Sequence, residues 1–257
     1  MAAVEEARNI KGVEGVWGLW ERMVPGLLHE EDAAGRRMLD IHLRRYRIAA
    51  QYVAGKRVLD IASGAGYGTR MLKDAGADFV AGVDLSDEAV AYADGKYGCD
   101  GVAFTQGNAE EFAFDEPFDV IVSFETLEHL PNPDRFLANA HAHLKPGGVL
   151  LLSAPIGETR HIDIYHLQVF ERPDIYGLLA DAGFEVEGYR FDPWKVTRQE
   201  LFHWKKIYPE SATPVLPLFF SWRGRKTIAD AFLKGGVSCD MFMTASRKVE
   251  GGPQPHP

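Results

Sequence analysis

The chain has 257 residues, 46% of them hydrophobic, and a net charge of -9, which suits one α/β domain with additions. The acidic balance argues against a general nucleic-acid binder, and no apolar run reaches the length of a membrane span. Cys99 and Cys239 are too few for a disulfide framework and lack metal-ligand spacing. The start Met-Ala-Ala-Val-Glu-Glu-Ala-Arg lacks the order of a signal peptide, so the default compartment is cytoplasmic.

Residues 1–55 read as an N-terminal helical cap. Glu30 to Val53 is its helical part, with Met38, Ile41, Leu43, Ile48 and Ala49 among the apolar positions. Trp17, Trp20, Glu21 and Arg22 lie upstream, as core aromatics or as the lining of a substrate entrance. Val58 to Ile61 then reads as a buried strand running into Ala62-Ser63-Gly64-Ala65-Gly66-Tyr67-Gly68, with a helix opening near Thr69. Glycines in such a turn reach backbone angles closed to other residues and let a ligand approach the main chain. A second strand, Phe79 to Val83, ends in Asp84, 18 residues beyond Gly66. A carboxylate there is placed to accept from both hydroxyls of a ribose, so the two signals together imply a nucleoside-containing cofactor.

Val102 to Gln106 reads as a third strand, and Phe118 to Phe124 as a fourth, covered on both faces. Pro133 to Leu144 reads as a helix, Lys145 to Gly148 as a turn, and Val149 to Ser153 as strand five. Phe184 to Phe191 and Met241 to Ser246 are expected as strands six and seven. The intervening residues, 192–239, are too many for a bare loop and carry Trp194, Trp204 and Trp222, which predicts a helical insertion. Between Asp192 and Cys239 there are eight basic and four acidic residues, a net +4 inside an acidic chain. That reversal suggests an anionic substrate, with a solvated helix face or a homodimer contact as the plain alternatives. Residues 249–257 read as a disordered tail.

The turn Gly64-x-Gly66-x-Gly68, with Asp60 four residues before it, departs from the Gly-x-Gly-x-x-Gly of dinucleotide sites. With Asp84 and the Leu-Lys-Pro-Gly-Gly run before strand five, it resembles the class I S-adenosylmethionine-dependent methyltransferases. The resemblance implies a doubly wound, Rossmann-like, seven-stranded, mostly parallel sheet of order 3-2-1-4-5-7-6. It assigns residues 56–191 and 240–248 to the core and makes S-adenosylmethionine the cofactor. It also implies that Tyr46, Asp60, Ala62, Ser63, Gly64, Gly66, Asp84, Leu85, Asn108, Ala109 and Glu125 bind it. Asp60 would hold the amino end of the aminocarboxypropyl arm, and Arg45 and Tyr46 could reach its carboxylate. The family usually has an acid where Asn108 stands. The amide oxygen can still accept from an adenine amino group, and Asn also suits a helix N-cap.

His129, just past strand four at the sheet edge where such folds bind ligands, is the candidate general base, and an imidazole titrates in the right range. Glu125 is expected nearer the cleft, and Glu128 as solvated or a cap. Tyr67, Tyr165 and His166 are candidate acceptor-binding residues. His161, Asp163 and His166 fit no strong ligand pattern, so no metal is expected. Tyr-His-Leu-x-x-Phe after strand five loosely resembles the subgroup that modifies sugars. The reading is O-methylation of an anionic sugar-type or nucleotide-type hydroxyl on a small molecule, with no membrane or nucleic-acid partner. N-methylation of a small metabolite, a catalytically silent binder of the cofactor and a nicotinamide dehydrogenase are the rivals. The missing third-glycine spacing counts against the last.

Overall fold

A computed structural model describes residues 23–157, 166–197, 199–200 and 235–249, with single positions 220, 225, 229, 232 and 233. Its strands are β1 Arg57–Ile61, β2 Phe79–Asp84, β3 Val102–Gln106, β4 Phe118–Phe124, β5 Leu144–Ile156, β6 Phe184–Thr197 and β7 Gly236–Lys248. They form one sheet in the order β3-β2-β1-β4-β5-β7-β6, as the resemblance implied. β1 to β5 pair in parallel, and β7 runs antiparallel between β5 and β6. The α-helices among the described residues are α1 Ala33–Ala49, α2 Tyr67–Asp74, α3 Asp87–Tyr97, α4 Pro133–His143 and α5 Arg172–Asp181. None of the described helices is long and apolar enough to cross a membrane.

Strand periodicity sorts the core into two layers. Leu59 and Ile61 face the layer of Ile121, Leu150 and Leu152, which α4 and α5 cover with Phe136, Leu137, Ile175 and Leu179. Val58 faces the other layer, with Val80, Val120, Val122 and Leu151, covered by Tyr46 and Ala49 of α1 and Leu72 of α2. Each such side chain, once fully buried, contributes about 1.5–3 kcal/mol. The same alternation puts Asp60 on the α1–α2 side, a carboxylate inside a hydrophobic layer.

Three boundaries differ from expectation. Helix α2 opens at Tyr67, two residues early, because Gly66 serves as its N-cap at φ +82°. The Lys145–Gly148 turn lies within the span of β5, where Leu144 already pairs with Phe118 before a register shift restores the ladder at Val120. The largest difference is the β6–β7 hairpin. It runs on through Trp194↔Cys239 to Thr197↔Gly236, so both ends of the segment expected as a helical insertion are strand. Pro193 stands inside this lengthened strand. It is tolerated because β6 is the sheet's edge strand, where a missing N–H breaks no ladder. Residues 199–200, 220, 225, 229 and 232–233 are helical. Trp204, Trp222 and the bases Lys205 and Lys206 lie outside the described residues, as do Trp17, Trp20, Glu21, Arg22 and the tail from 250.

The long hairpin is bound to α1. Trp194 and Val196 of β6 and Met241 of β7 pack against Met23, Ala34, Met38 and Ile41. Arg44 Nη1 donates to Asp192 Oδ1 at 2.7 Å, and Arg37 spans Glu200 Oε1 and the Lys195 carbonyl, both at 2.8 Å. Helix α1 is therefore clamped between the sheet below and the hairpin arm beside it.

Candidate functional site

At the C-terminal ends of β1, β2 and β4 the turns enclose a cavity of about 630 Å³. One wall is the turn after β1. Gly64 N–H donates to Asp84 Oδ2 at 2.8 Å, and Ser86 N–H donates to Asp84 Oδ1 at 3.0 Å. Asp84 thus staples the β1 turn to the β2 turn, with each carboxylate oxygen able to accept a further bond from the cavity side. Leu85 stands beside it at the rim, 69% exposed, an apolar surface for a flat ring.

Beneath the turn, Tyr46 Oη donates to Asp60 at 3.1 and 3.3 Å, and Thr69 Oγ1 donates to Asp60 Oδ2 at 2.7 Å. Burial raises the Asp60 pKa from 3.8 to about 7, against the pull of the two hydroxyls and with a push from Asp84. Asp60 itself does not border the cavity, whereas Tyr46, Ala62, Ser63 and Gly64 do. Gly66 lies behind them, where a Cβ would meet Ala93 Cβ at 2.5 Å. Gly68 has a steric reason of its own: a Cβ there would fall 1.9 Å from Tyr46 Cζ. The third glycine of the motif is what lets α1 lay a tyrosine against α2.

Asn108 and Ala109 line the cavity below β3. The Asn108 amide oxygen accepts from Glu110 N–H at 3.0 Å, closing an Asx turn in place of a helix cap. Glu110 also lines the cavity and ties its carboxylate to Asn132, at 2.7 Å from the backbone N–H and 3.1 Å from the side chain.

The far wall comes from the end of β4. Glu125 sits at φ +51°, with its carboxylate held by Arg45 Nη1 at 2.6 Å and Ser153 Oγ at 2.8 Å. Arg45, expected to reach toward a ligand, is instead wholly buried behind Glu125. Its Nε and Nη2 have no hydrogen-bond partner among the described residues. His42 Nδ1 lies 3.2 Å from Tyr67 Oη, and both residues face the cavity. His129 lines it too, and its ring meets that of His166 edge to face with centroids 4.9 Å apart.

Glu128 is a correction. Expected as solvated or a cap, it is 1% exposed, because the backbone N–H groups of Leu167 and Gln168 donate to its carbonyl and close the chain over it. Burial raises its pKa to about 8, with Glu125 adding to the rise. Tyr165, His161 and Asp163 lie outside the described residues. Met23, Thr126, Leu130, Pro131 and Leu167 line the cavity although sequence reasoning gave them no role. They carry no chemistry-bearing pattern, so only the fold could have found them.

The lining is acidic, although Arg45 behind the wall pairs with Glu125. It contains Asp84, Glu110 and Glu125 and, among the described residues, neither lysine nor arginine. Such a wall opposes a pyrophosphate and favours a cation. The comparisons agree. A methyltransferase-domain family model matches residues 32–188, more than half of the chain, and the chain belongs to this family. A probable S-adenosylmethionine-dependent methyltransferase of Mycolicibacterium smegmatis is 34% identical over 174 residues, covering 65% of each protein. A ubiquinone biosynthesis O-methyltransferase of Paraburkholderia phymatum is 36% identical over 130 residues, 49% of this chain and 52% of that protein. The matched segment therefore spans between half and two thirds of these relatives. Among solved structures, the N-methyltransferase NodS of Bradyrhizobium japonicum, in complex with S-adenosylhomocysteine, superposes with a TM-score of 0.59 at 16% identity. That match covers 97% of this chain and 98% of NodS. Such a likeness speaks for the fold alone. The cofactor of the family is S-adenosylmethionine, and an acid-lined cavity without lysine or arginine among the described residues fits its sulfonium and ammonium charges.

Proposed function

We propose that this chain transfers a methyl group from S-adenosylmethionine to a hydroxyl of a small molecule held beside His129. The observation that carries the reading is the lining itself: three carboxylates, neither lysine nor arginine among the described residues, and His129 in the same cavity. In this reading Asp84 and Leu85 take the ribose and adenine, with Asn108 and Ala109 beside the base. Tyr46 and the backbone of Ala62 to Gly64 border the aminocarboxypropyl arm. Asp60, one layer below, sets the potential there through Tyr46. The cofactor supplies a methyl already activated on a sulfonium, so the protein's work is alignment and proton removal. Alignment contributes roughly 7–11 kcal/mol in well-oriented model reactions.

Tyr67 and His166 flank the acceptor side, and His129 or a group it holds acts on the acceptor hydroxyl. The O-methyltransferase among the relatives supports oxygen over nitrogen as the target. An anionic acceptor, expected from the basic 192–239 segment, has no counterpart in the described lining. In this reading the reacting hydroxyl belongs to an uncharged part of the molecule.

The reading is tested by transfer of labelled methyl from S-adenosylmethionine to a cell extract split into anionic, neutral and macromolecular pools. Label is expected in a small-molecule pool, and the anionic pool would tie the basic segment to acceptor choice. Label confined to the macromolecular pool would overturn the reading.

A further inference from the structure

Glu128 poses a problem that the reading above leaves unsolved. Its carboxylate is 1% exposed, and Oε2 has no hydrogen-bond partner among the described residues. That oxygen forfeits hydration with no hydrogen bond in return. Two imidazoles, with the Glu125 carboxylate, stand around Glu128. His129 Nε2 lies 3.9 Å from Glu128 Oε1, and one ligand atom from each of Glu128, His129 and His166 lies within 4.8 Å of the others. Three atoms so spaced share a point less than about 2.8 Å from each. A contraction of well under 1 Å would bring all three to the roughly 2.0–2.2 Å of a divalent first-row metal site. The supports are rigid at short range: Glu128 and His129 sit in one 3-10 turn, Leu127–His129. The chain bearing His166 is pinned to that turn by the Leu167 and Gln168 bonds to the Glu128 carbonyl, at 2.8 and 2.9 Å.

We infer that Glu128, His129 and His166 bind a divalent first-row cation at the acceptor end of the cavity. Two imidazoles and one carboxylate match the donor preference of zinc, manganese or cobalt and leave coordination positions open. His129 lines the cavity, so at least one of the three side chains borders the space an acceptor would occupy. The cation neutralises the buried carboxylate, and it lowers the pKa of an acceptor hydroxyl that approaches it. In the transfer the hydroxyl proton leaves to solvent and the oxygen lone pair forms the new C–O bond. The C–S bond of the sulfonium breaks, and its electron pair stays on sulfur. His129 then acts as a ligand, not as the base. This catalytic role rests on the hydroxyl reading above, but the binding of the cation does not.

The test is titration of Co2+ into the full chain after chelator treatment, followed by the cobalt absorption bands, with S-adenosylhomocysteine binding measured in parallel as the check of folding. The wild type is expected to take up one equivalent, and Glu128→Gln and His166→Ala each to weaken uptake by at least about tenfold while still binding S-adenosylhomocysteine. A wild type without saturable uptake, or two folded variants that bind cobalt as the wild type does, would overturn the inference. The two readings fail separately. Methyl found on nitrogen with cobalt bound would sink the hydroxyl reading alone, and an O-methyl product without cobalt uptake would sink the cation alone.

Discussion

Replacing Gly68 with alanine is expected to lower stability by about 1–3 kcal/mol and to weaken S-adenosylhomocysteine binding by at least about tenfold. The added Cβ would sit inside the Tyr46 ring, 1.9 Å from Cζ and 2.3 Å from each Cε. Tyr46 has no room to yield, since it is 5% exposed and packs edge-on against Tyr67 and Phe124 with centroids 5.9 and 5.1 Å away. If it moves, Asp60 loses one of its two hydroxyl donors, and the cavity loses the wall that α1 provides.

The deficit should depend on pH in a defined direction. The folded-state pKa of Asp60, about 7, lies above its ordinary value of 3.8. The native state therefore holds the proton more tightly than the unfolded chain, and this group's contribution to stability falls as pH rises from about 4 to about 7. The Tyr46 hydroxyl offsets part of that fall by favouring the ionised form. Losing it should cost most above pH 7 and little near pH 5. Thermal unfolding of both proteins across that range reads the difference, and a deficit that does not vary with pH would refute the Tyr46–Asp60 coupling.

Asp84→Ala is expected to reduce affinity for S-adenosylhomocysteine by about a hundredfold or more, given about 1.5–3 kcal/mol for each hydrogen bond to a charged group. Two effects contribute. The Gly64 and Ser86 N–H groups lose their acceptor, so the turn loosens, and the ribose hydroxyls lose theirs. A cofactor analogue lacking the ribose 2′-hydroxyl separates the two. It should bind the wild type more weakly than the full cofactor does, and lose less affinity than the full cofactor does on Asp84→Ala. If Asp84 only staples the turns, the analogue and the full cofactor will lose affinity equally. Near-normal affinity in the variant would remove Asp84 from the site.

Much of the frame was legible because it depends on short-range signals. The run Val58 to Gly68 contains a strand, a positive-φ turn and a helix start within 11 residues, and Asp84 closes the next strand at a readable distance. What was not legible depends on contacts across the fold. The burial of Arg45 could not be read from a helix whose neighbours Arg44 and Arg47 are not buried; it follows from Glu125, 80 residues away. Likewise, Glu128 and His166 come together only because the chain returns to the β4 turn through Leu167 and Gln168. Trp194 was read as part of a helical insertion because residues 192–239 are too many for a bare loop and rich in aromatic residues. Edge placement and the apolar face of α1 decide otherwise, and neither is local. The same hairpin fixes α1, and through α1 the positions of His42 and Tyr46, so a segment outside the sheet core shapes the cavity wall.

The most direct test of the account is the bond that the methyl group forms. The full chain would be given S-adenosylmethionine with a carbon-13 methyl and a small-molecule extract, and the labelled product read by NMR. The account predicts a methyl carbon at the shift of a methoxy group on a low-mass product. An N-methyl signal would contradict it, and so would no product at all while S-adenosylhomocysteine still binds.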